Sequence, residues 1–411
     1  MRRGLVAIAA GAFALGLAEF GMMGMLESIA SGLEVSVPWA GNFISAYAIG
    51  VCVGTLFLVF GRRVAPKRLL LLFMGLVVIG NALAAISLNA GMLVAARFIS
   101  GLPHGAYFGT ATIVAKSMAE RGREGQAVAM MVLGQTIANT VGVPAATLIA
   151  GVVSWRAALA IIALWAVGAC LLIARWVPRV DPIHDAGLAG QFRFLRRPGP
   201  WLVLGAVLAG NSGIFCWWSY VNPWLTQAGG FPEWSVPLLL VVAGLGMVVG
   251  TQLGGRTGDR LTPAKAAAIG QGIAVVALLL IFACSAGHPV IATALMFVCS
   301  LALFFPSSPQ QILMVQVGRG GGEMIGSACV QVAFNAGNAI GAHVGQLVLN
   351  TGASYVWPSL AGAPITACSV VLLLVFARHF ERTYYLEAHA RPGEGAARDA
   401  DAPQDADEGV R

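Results

Sequence analysis

The chain reads as long apolar stretches separated by short polar junctions. Twelve stretches stand out, at about 5–30, 38–60, 68–88, 91–116, 126–152 and 156–177, and again at about 200–225, 235–255, 264–286, 289–315, 324–350 and 354–378. At about 1.5 Å rise per residue, each is long enough as a helix to cross the roughly 30 Å hydrocarbon core of a bilayer. The apolar–polar alternation of a membrane β-barrel is absent, so the stretches predict helices. A polar segment near residue 185 divides six from six. The expected fold is therefore an all-α membrane protein of twelve transmembrane helices in two parallel six-helix halves. Residues 1–178 form the first half, 179–199 a cytoplasmic linker and 200–380 the second half. Residues 381–411, rich in Ala, Asp, Gly and Pro, predict a disordered tail.

Composition sharpens this picture. Of the 411 residues 58% are hydrophobic and only 10% charged, with a mean hydropathy of +0.79, whereas a soluble domain carries about a quarter charged residues. The bases cluster at alternate junctions: Arg2 and Arg3; Arg62, Arg63, Lys67 and Arg68; Lys116, Arg121 and Arg123; Arg175 to Arg197; Arg256, Arg260 and Lys265; Arg319; and beyond Arg378. Among the 25 Lys and Arg, only Arg97 and Arg156 fall elsewhere. By the positive-inside rule those junctions and both termini face the cytoplasm. The net charge of +7 then reflects topology rather than nucleic-acid binding. Trp39, Trp155, Trp176, Trp201, Trp224, Trp234 and Trp357 lie near predicted helix ends, as an aromatic belt would. The first apolar stretch is too long for a cleavable signal peptide and is expected to remain as helix one. The seven cysteines lie in predicted helices without metal-ligand spacing, and no P-loop occurs, so neither a metal, a cofactor nor ATP hydrolysis is expected.

Several features repeat between the halves. Asn139-Thr-Val-Gly142 of helix five recurs as Asn338-Ala-Ile-Gly341 of helix eleven, 199 residues later. The basic junction Arg62–Arg68 has a counterpart at Arg256–Lys265, and Pro103 of helix four one at Pro306 of helix ten. Two homologous halves around a midplane cavity are the architecture of a secondary transporter.

Three motifs carry a family resemblance. Gly255-Arg-Thr-Gly-Asp259-Arg260, between helices eight and nine, resembles the major facilitator loop motif. Its glycine would allow close helix approach, while Asp259 and Arg260 would clasp a helix end at the cytoplasmic gate. The first-half junction FGRRVAPKRLL keeps the bases and lacks the aspartate. Arg97-Phe-Ile-Ser-Gly101 is similar to the family's intramembrane Arg-x-x-x-Gly motif, and Gly134-Gln-Thr-Ile-Ala-Asn139-Thr-Val-Gly142-Val-Pro144 to its antiporter signature. The chain resembles the drug:proton antiporter branch of the major facilitator superfamily from helix one to helix eleven.

Glu19 sits in the otherwise apolar run ALGLAEFGMMGML. A charged side chain at a helix centre costs about 2.5–3.5 kcal/mol on insertion scales and normally faces the bundle interior or a water-filled cavity. Glu19 is therefore the candidate proton carrier, with a purely structural pairing to Arg97 or to a backbone donor as the alternative. Arg97, nearer the outer end of helix four, is as well placed to snorkel or to tie helices together as to act. His104 is either a relay or a neutral, hydrogen-bonded packing residue. Gly134, Gly142, Gly337 and Gly341 are expected to allow helix contact. Candidates to grip a solute without carrying charge are Trp217, Trp218, Tyr220 and Asn222 on helix seven, Asn42 and Tyr47 on helix two, Gln310 on helix ten, and Asn335 and Asn338 on helix eleven.

The expected function is proton-coupled export of a small sugar-like or amphipathic solute by alternating access, by a monomer in a bacterial inner membrane. Its partners would be the solute, protons and the bilayer, with no nucleic acid. The same fold could run as an importer or facilitator. A membrane-embedded transferase is the reading from another class, and no paired carboxylates or nucleophile–base constellation supports it.

Overall fold

The structure is a computed structural model that describes residues 2–55, 57, 64–120, 124–179, 192–318 and 323–384. All its regular elements are helical. Residues before the linker form α1 (Arg2–Gly24), α2 (Leu26–Gly32), α3 (Val37–Gly54), α4 (Pro66–Ala85), α5 (Ala90–Gly101), α6 (His104–Ser117), α7 (Glu124–Ile137), α8 (Val143–Val152) and α9 (Trp155–Trp176). Those after it form α10 (Pro198–Trp218), α11 (Val236–Arg260), α12 (Pro263–Cys284), α13 (Pro289–Phe304), α14 (Ser307–Val317), α15 (Glu323–Leu349) and α16 (Trp357–His379). Sequence-local signals start many of them. The side chains of Ser36, Asn89, Ser154 and Thr262 each accept from the backbone N–H three residues on, satisfying a donor the helix cannot.

Ten helices among the described residues are long and apolar enough to cross a membrane. The expected helices four and eleven are not among them, and the reasons differ. Pro103 splits helix four into α5 and α6, of 12 and 14 residues. The α15 helix is 27 residues long but carries Asn335, Asn338, His343 and Gln346, which dilute its apolar character. Arg62, Arg63, Arg121, Arg123, Arg319 and most of the linker lie outside the described residues. Of the expected tail only residues 381–384 are described, and these are helical: Glu381 and Tyr384 are buried, and Tyr384 stacks on Phe376. Trp155 and Trp224 are also buried, so they pack within the protein instead of forming part of a belt.

One packing pattern occurs twice. A Cβ on Gly50 or Gly54 of α3 would overlap the carbonyls of Phe98 and Leu102, at the break between α5 and α6. Two hundred residues later, a Cβ on Gly250 or Gly254 of α11 would overlap the carbonyls of Leu301 and Phe305, at the break between α13 and α14. Both breaks precede a proline, Pro103 and Pro306, with nearly the same backbone angles (φ −76°, ψ −16° and φ −76°, ψ −10°). Helix surfaces without side chains let backbones approach, and proline's missing N–H explains the interruption.

Buried apolar side chains fall into three clusters. One is built almost wholly from residues 5–177 and one from residues 194–384. The third joins the two, bringing α1, α2 and α3 against the segment from Ile214 to Leu225 and against α11 and α13. The joints at the end carrying the termini differ in charge. Lys67 donates to the carbonyls of Ala174 and Val177, at 2.7 and 2.6 Å, at the C-terminal end of α9. Glu381 accepts from Ala264 N and Thr262 Oγ1, at 3.0 and 2.9 Å, at the N-terminal end of α12. Each charge opposes the dipole end it meets.

Candidate functional site

Glu19, Tyr47, Arg97 and His104 come together from α1, α3, α5 and α6, and all are at most 2% exposed. The break at Pro103 puts His104 at the first position of α6 and aims its ring at α1 and α3. His104 Nε2 lies 3.6 Å from Glu19 Oε2, and Nδ1 lies 2.8 Å from the Tyr47 hydroxyl. That hydroxyl is also 3.4 Å from the Leu15 carbonyl, so the shorter contact is the one to the imidazole. With Tyr47 donating to Nδ1, the ring proton resides on Nε2 and faces the carboxylate.

Arg97 does not snorkel. It donates through Nη1 to Ala18 O at 2.8 Å and through Nε to Phe43 O at 3.3 Å, and its guanidinium lies 4.4 Å from the centre of the Tyr47 ring. It thereby locks α5 to α1 and α3 and supplies a positive charge near Glu19 without bonding it directly. Glu19 Oε1 and Arg97 Nη2 have no hydrogen-bond partner among the described residues. A buried carboxylate next to an imidazole, under the field of an arginine, is an arrangement that can take up or give up a proton at Oε2. Tyr47, expected to grip a solute, instead completes this cluster; nothing in its spacing announces a partner on α6.

The other expected solute-binding residues divide into two sets. Tyr220 donates to Pro38 O and Ala342 O at 3.2 and 2.9 Å, Asn222 to Gly24 O at 2.8 Å, and Asn42 to Trp39 O at 2.8 Å. These three are engaged with backbone carbonyls. By contrast, Trp217 and Trp218 Nε1, Gln310 Nε2, and Asn335 and Asn338 Oδ1 are buried without a hydrogen-bond partner among the described residues. Such groups are costly unless something else meets them. A row of rings that the sequence did not reveal runs across the centre: Phe20 lies 6.3 Å from Phe215 and 6.0 Å from Phe304, and Phe215 lies 5.7 Å from Phe334. The four rings come from four different elements, so no spacing along the chain links them. Beside them a cleft of about 10 Å³, room for about one water, is lined by Phe20, Met23, Asn139, Trp218, Gly244 and Met247 among others.

The segment expected as an antiporter motif is packed tightly. Gly134 of α7 lies against the backbone of Ala9 and Gly142 against the Phe13 ring, while Gly337 and Gly341 of α15 lie against the Leu208 and Ser212 carbonyls. All four glycines therefore make helix contacts, as expected. Between α7 and α8, residues Ala138–Gly142 widen into a π-turn just before Pro144, which has no N–H to give. Asn139 sits in this turn, its Oδ1 buried and unpartnered among the described residues.

The loop motif differs from expectation. Asp259 and Arg260 are exposed at the end of α11, and Asp259 makes no hydrogen bond or ion pair among the described residues. The glycine against a neighbouring backbone is Gly254, whereas Gly255 has nothing nearer than Ser308 Oγ at 3.8 Å. A shift of one residue turns the small face of a helix by about 100°, and sequence alone left the facing residue open.

Comparison with known proteins agrees with this geometry. The family model described as Major Facilitator Superfamily matches residues 8–328. The chain is 39% identical over 380 residues to the transporter AraJ of Escherichia coli (strain K12), covering 92% of this chain and 96% of AraJ. It is 29% identical to a chloramphenicol resistance protein of Streptomyces lividans, covering 90% and 95%. Among solved structures, a bacterial homologue of the human lysosomal transporter Spinster, inward-facing and unoccupied, superposes with a TM-score of 0.65 at 15% identity, covering 95% of this chain and 98% of that one. The chain belongs to the Major Facilitator Superfamily, and it is a multi-pass membrane transporter rather than an enzyme.

Proposed function

We propose that the protein is a proton-coupled antiporter that exports a small neutral solute, sugar-like or amphipathic, across a bacterial inner membrane. It would do so as a monomer of twelve helices in two homologous halves, with both termini cytoplasmic. The observation that carries this reading is the Glu19–His104–Tyr47–Arg97 cluster. It places a carboxylate fully inside the protein, where charge is expensive and where a change of access can change protonation. The indole N–H groups of Trp217 and Trp218, Gln310 Nε2, and Asn335 and Asn338 Oδ1, buried without a partner among the described residues, suit a solute with hydroxyls or amides and an apolar face, and none of these side chains is charged. The twofold recurrence of the glycine–proline packing supports two repeats rocking about the central rings. The similarity to a chloramphenicol resistance protein favours export. Asp259, which makes no ion pair among the described residues, would join its clasp when the cytoplasmic end closes.

The test is a solute panel, including L-arabinose and chloramphenicol, measured for export from energised cells with and without an uncoupler. Export that collapses with the uncoupler supports the proposal; export that continues unchanged contradicts proton coupling.

A further inference from the structure

At the end of the bundle opposite the termini, a second carboxylate bridges the two parts of the chain. Glu27 of α2 is only partly buried. It accepts from Thr226 Oγ1 at 3.2 and 3.4 Å and from Gln227 Nε2 at 3.0 Å, residues 199 and 200 positions further along the sequence. The same seam is tied by Asn222 Nδ2 to Gly24 O and by Tyr220 to Pro38 O. These latter bonds join neutral groups and do not change with pH.

The surroundings of Glu27 are unusual for an ionised group. Its donors are a neutral hydroxyl and a neutral amide, and no basic side chain lies within ion-pair distance of it among the described residues. The titratable groups that act on it are Glu233, a like charge, and Tyr355. Gln227 and Tyr355 also line an open vestibule of about 710 Å³ together with Pro38, Gly287 and Ser354, so protons from that side can reach the seam. Closing the seam removes water from the carboxylate and supplies no cation in return, whereas opening it restores water.

We propose that Glu27 is a proton-binding site whose protonation accompanies closure of this end of the transporter. The sign follows from the environment. Burial, first, and then the charge of Glu233 hold the Glu27 carboxyl above its usual range, against the opposing pull of the hydrogen bonds from Gln227 and Thr226. The closed seam therefore binds the proton more tightly than the open one. By linkage, closure strengthens as pH falls and weakens as pH rises through the closed-state value. This linkage is a property of the seam and holds whichever solute is carried.

The experiment uses full-length protein in nanodiscs, in a cysteine-free background with spin labels at positions 31 and 234, one on each side of the seam. Distances are measured between pH 8 and pH 5. In the parent the closed population rises as pH falls. Glu27→Gln stays closed across the range, its pH response reduced at least about fivefold, and Glu27→Asp recovers a response. Glu233→Gln retains the response with its midpoint moved to lower pH, because a like charge has been removed. A Glu27→Gln curve that follows the parent, or a Glu233→Gln midpoint that does not move, overturns the proposal. Because the readout is distance rather than transport, it stands or falls independently of whether export is proton-driven.

Discussion

In α3 and α5, Gly50 and Gly54 press on the carbonyls of Phe98 and Leu102; in α11 and α13, Gly250 and Gly254 press on those of Leu301 and Phe305. The packing is the same, but the side chains around it are not. Just before and after the first break stand Arg97 and His104, facing Glu19 and Tyr47. Around the second stand Ser300, Ser307 and Gln310, none of which ionises. The end joints diverge in the same way, with Lys67 on a helix C-terminus in one and Glu381 on a helix N-terminus in the other. Backbone packing that needs only glycine and proline leaves side chains free to differ. One side of the molecule then carries the ionisable cluster and the other neutral polar groups, and the proposed proton and solute roles rest on that division.

That division is open to attack. The largest expected effect is on Glu19→Gln, which keeps the shape and removes the titration. Uphill export into a pH gradient should vanish, the accumulation ratio falling to about one, while downhill solute exchange persists in proteoliposomes. Equal loss of both would mean that Glu19 is structural.

Next, Gly54→Val and Gly254→Val should destabilise to similar extents, each by about 1–3 kcal/mol or more, because the added atoms meet backbone that cannot move aside. Thermal unfolding of purified protein measures this. Gly75→Val, with nothing within 4 Å of a Cβ, is the neutral control. A large difference between the two glycines would break the equivalence of the packing.

A smaller effect is expected for Asn338→Leu, which removes an acceptor buried without a partner among the described residues. Solute affinity should fall about tenfold, the value of roughly one buried hydrogen bond, with no change in the pH dependence of transport. If the pH dependence shifted instead, the separation of proton and solute roles would fail. Least affected should be Lys67→Met and Glu381→Gln, each losing about 0.3–1 kcal/mol of stability from a helix-end contact, seen as a shift of about one degree or less in Tm.

The sequence made some of this legible and not the rest, for physical reasons. Glu19 was visible because a carboxylate in an apolar run is costly wherever the helix lies; Pro103 and Pro306 were visible as a repeated pair, but whether a proline breaks its helix depends on the packing around it, since Pro364 lies inside α16 without ending it. The grouping of Arg97, His104 and Tyr47 around Glu19 was not, since four helices must first meet. The same holds for the Phe20, Phe215, Phe304 and Phe334 rings. Gly254 and Gly255 illustrate the limit most directly, because only the rotation of α11 against α13 decides which of two adjacent glycines is needed. Tyr220 and Asn222 had the right chemistry for a solute but spend it on carbonyls of α1, α3 and α15.

The most direct test of the account is solute-induced proton release from purified protein in weakly buffered detergent, using a solute that the export panel has identified. The parent should release protons when solute binds, and a correctly folded Glu19→Gln variant should release none while still binding the solute. Full-size release from that variant would contradict the account, showing that the proton is carried elsewhere and that Glu19 only holds the helices in register.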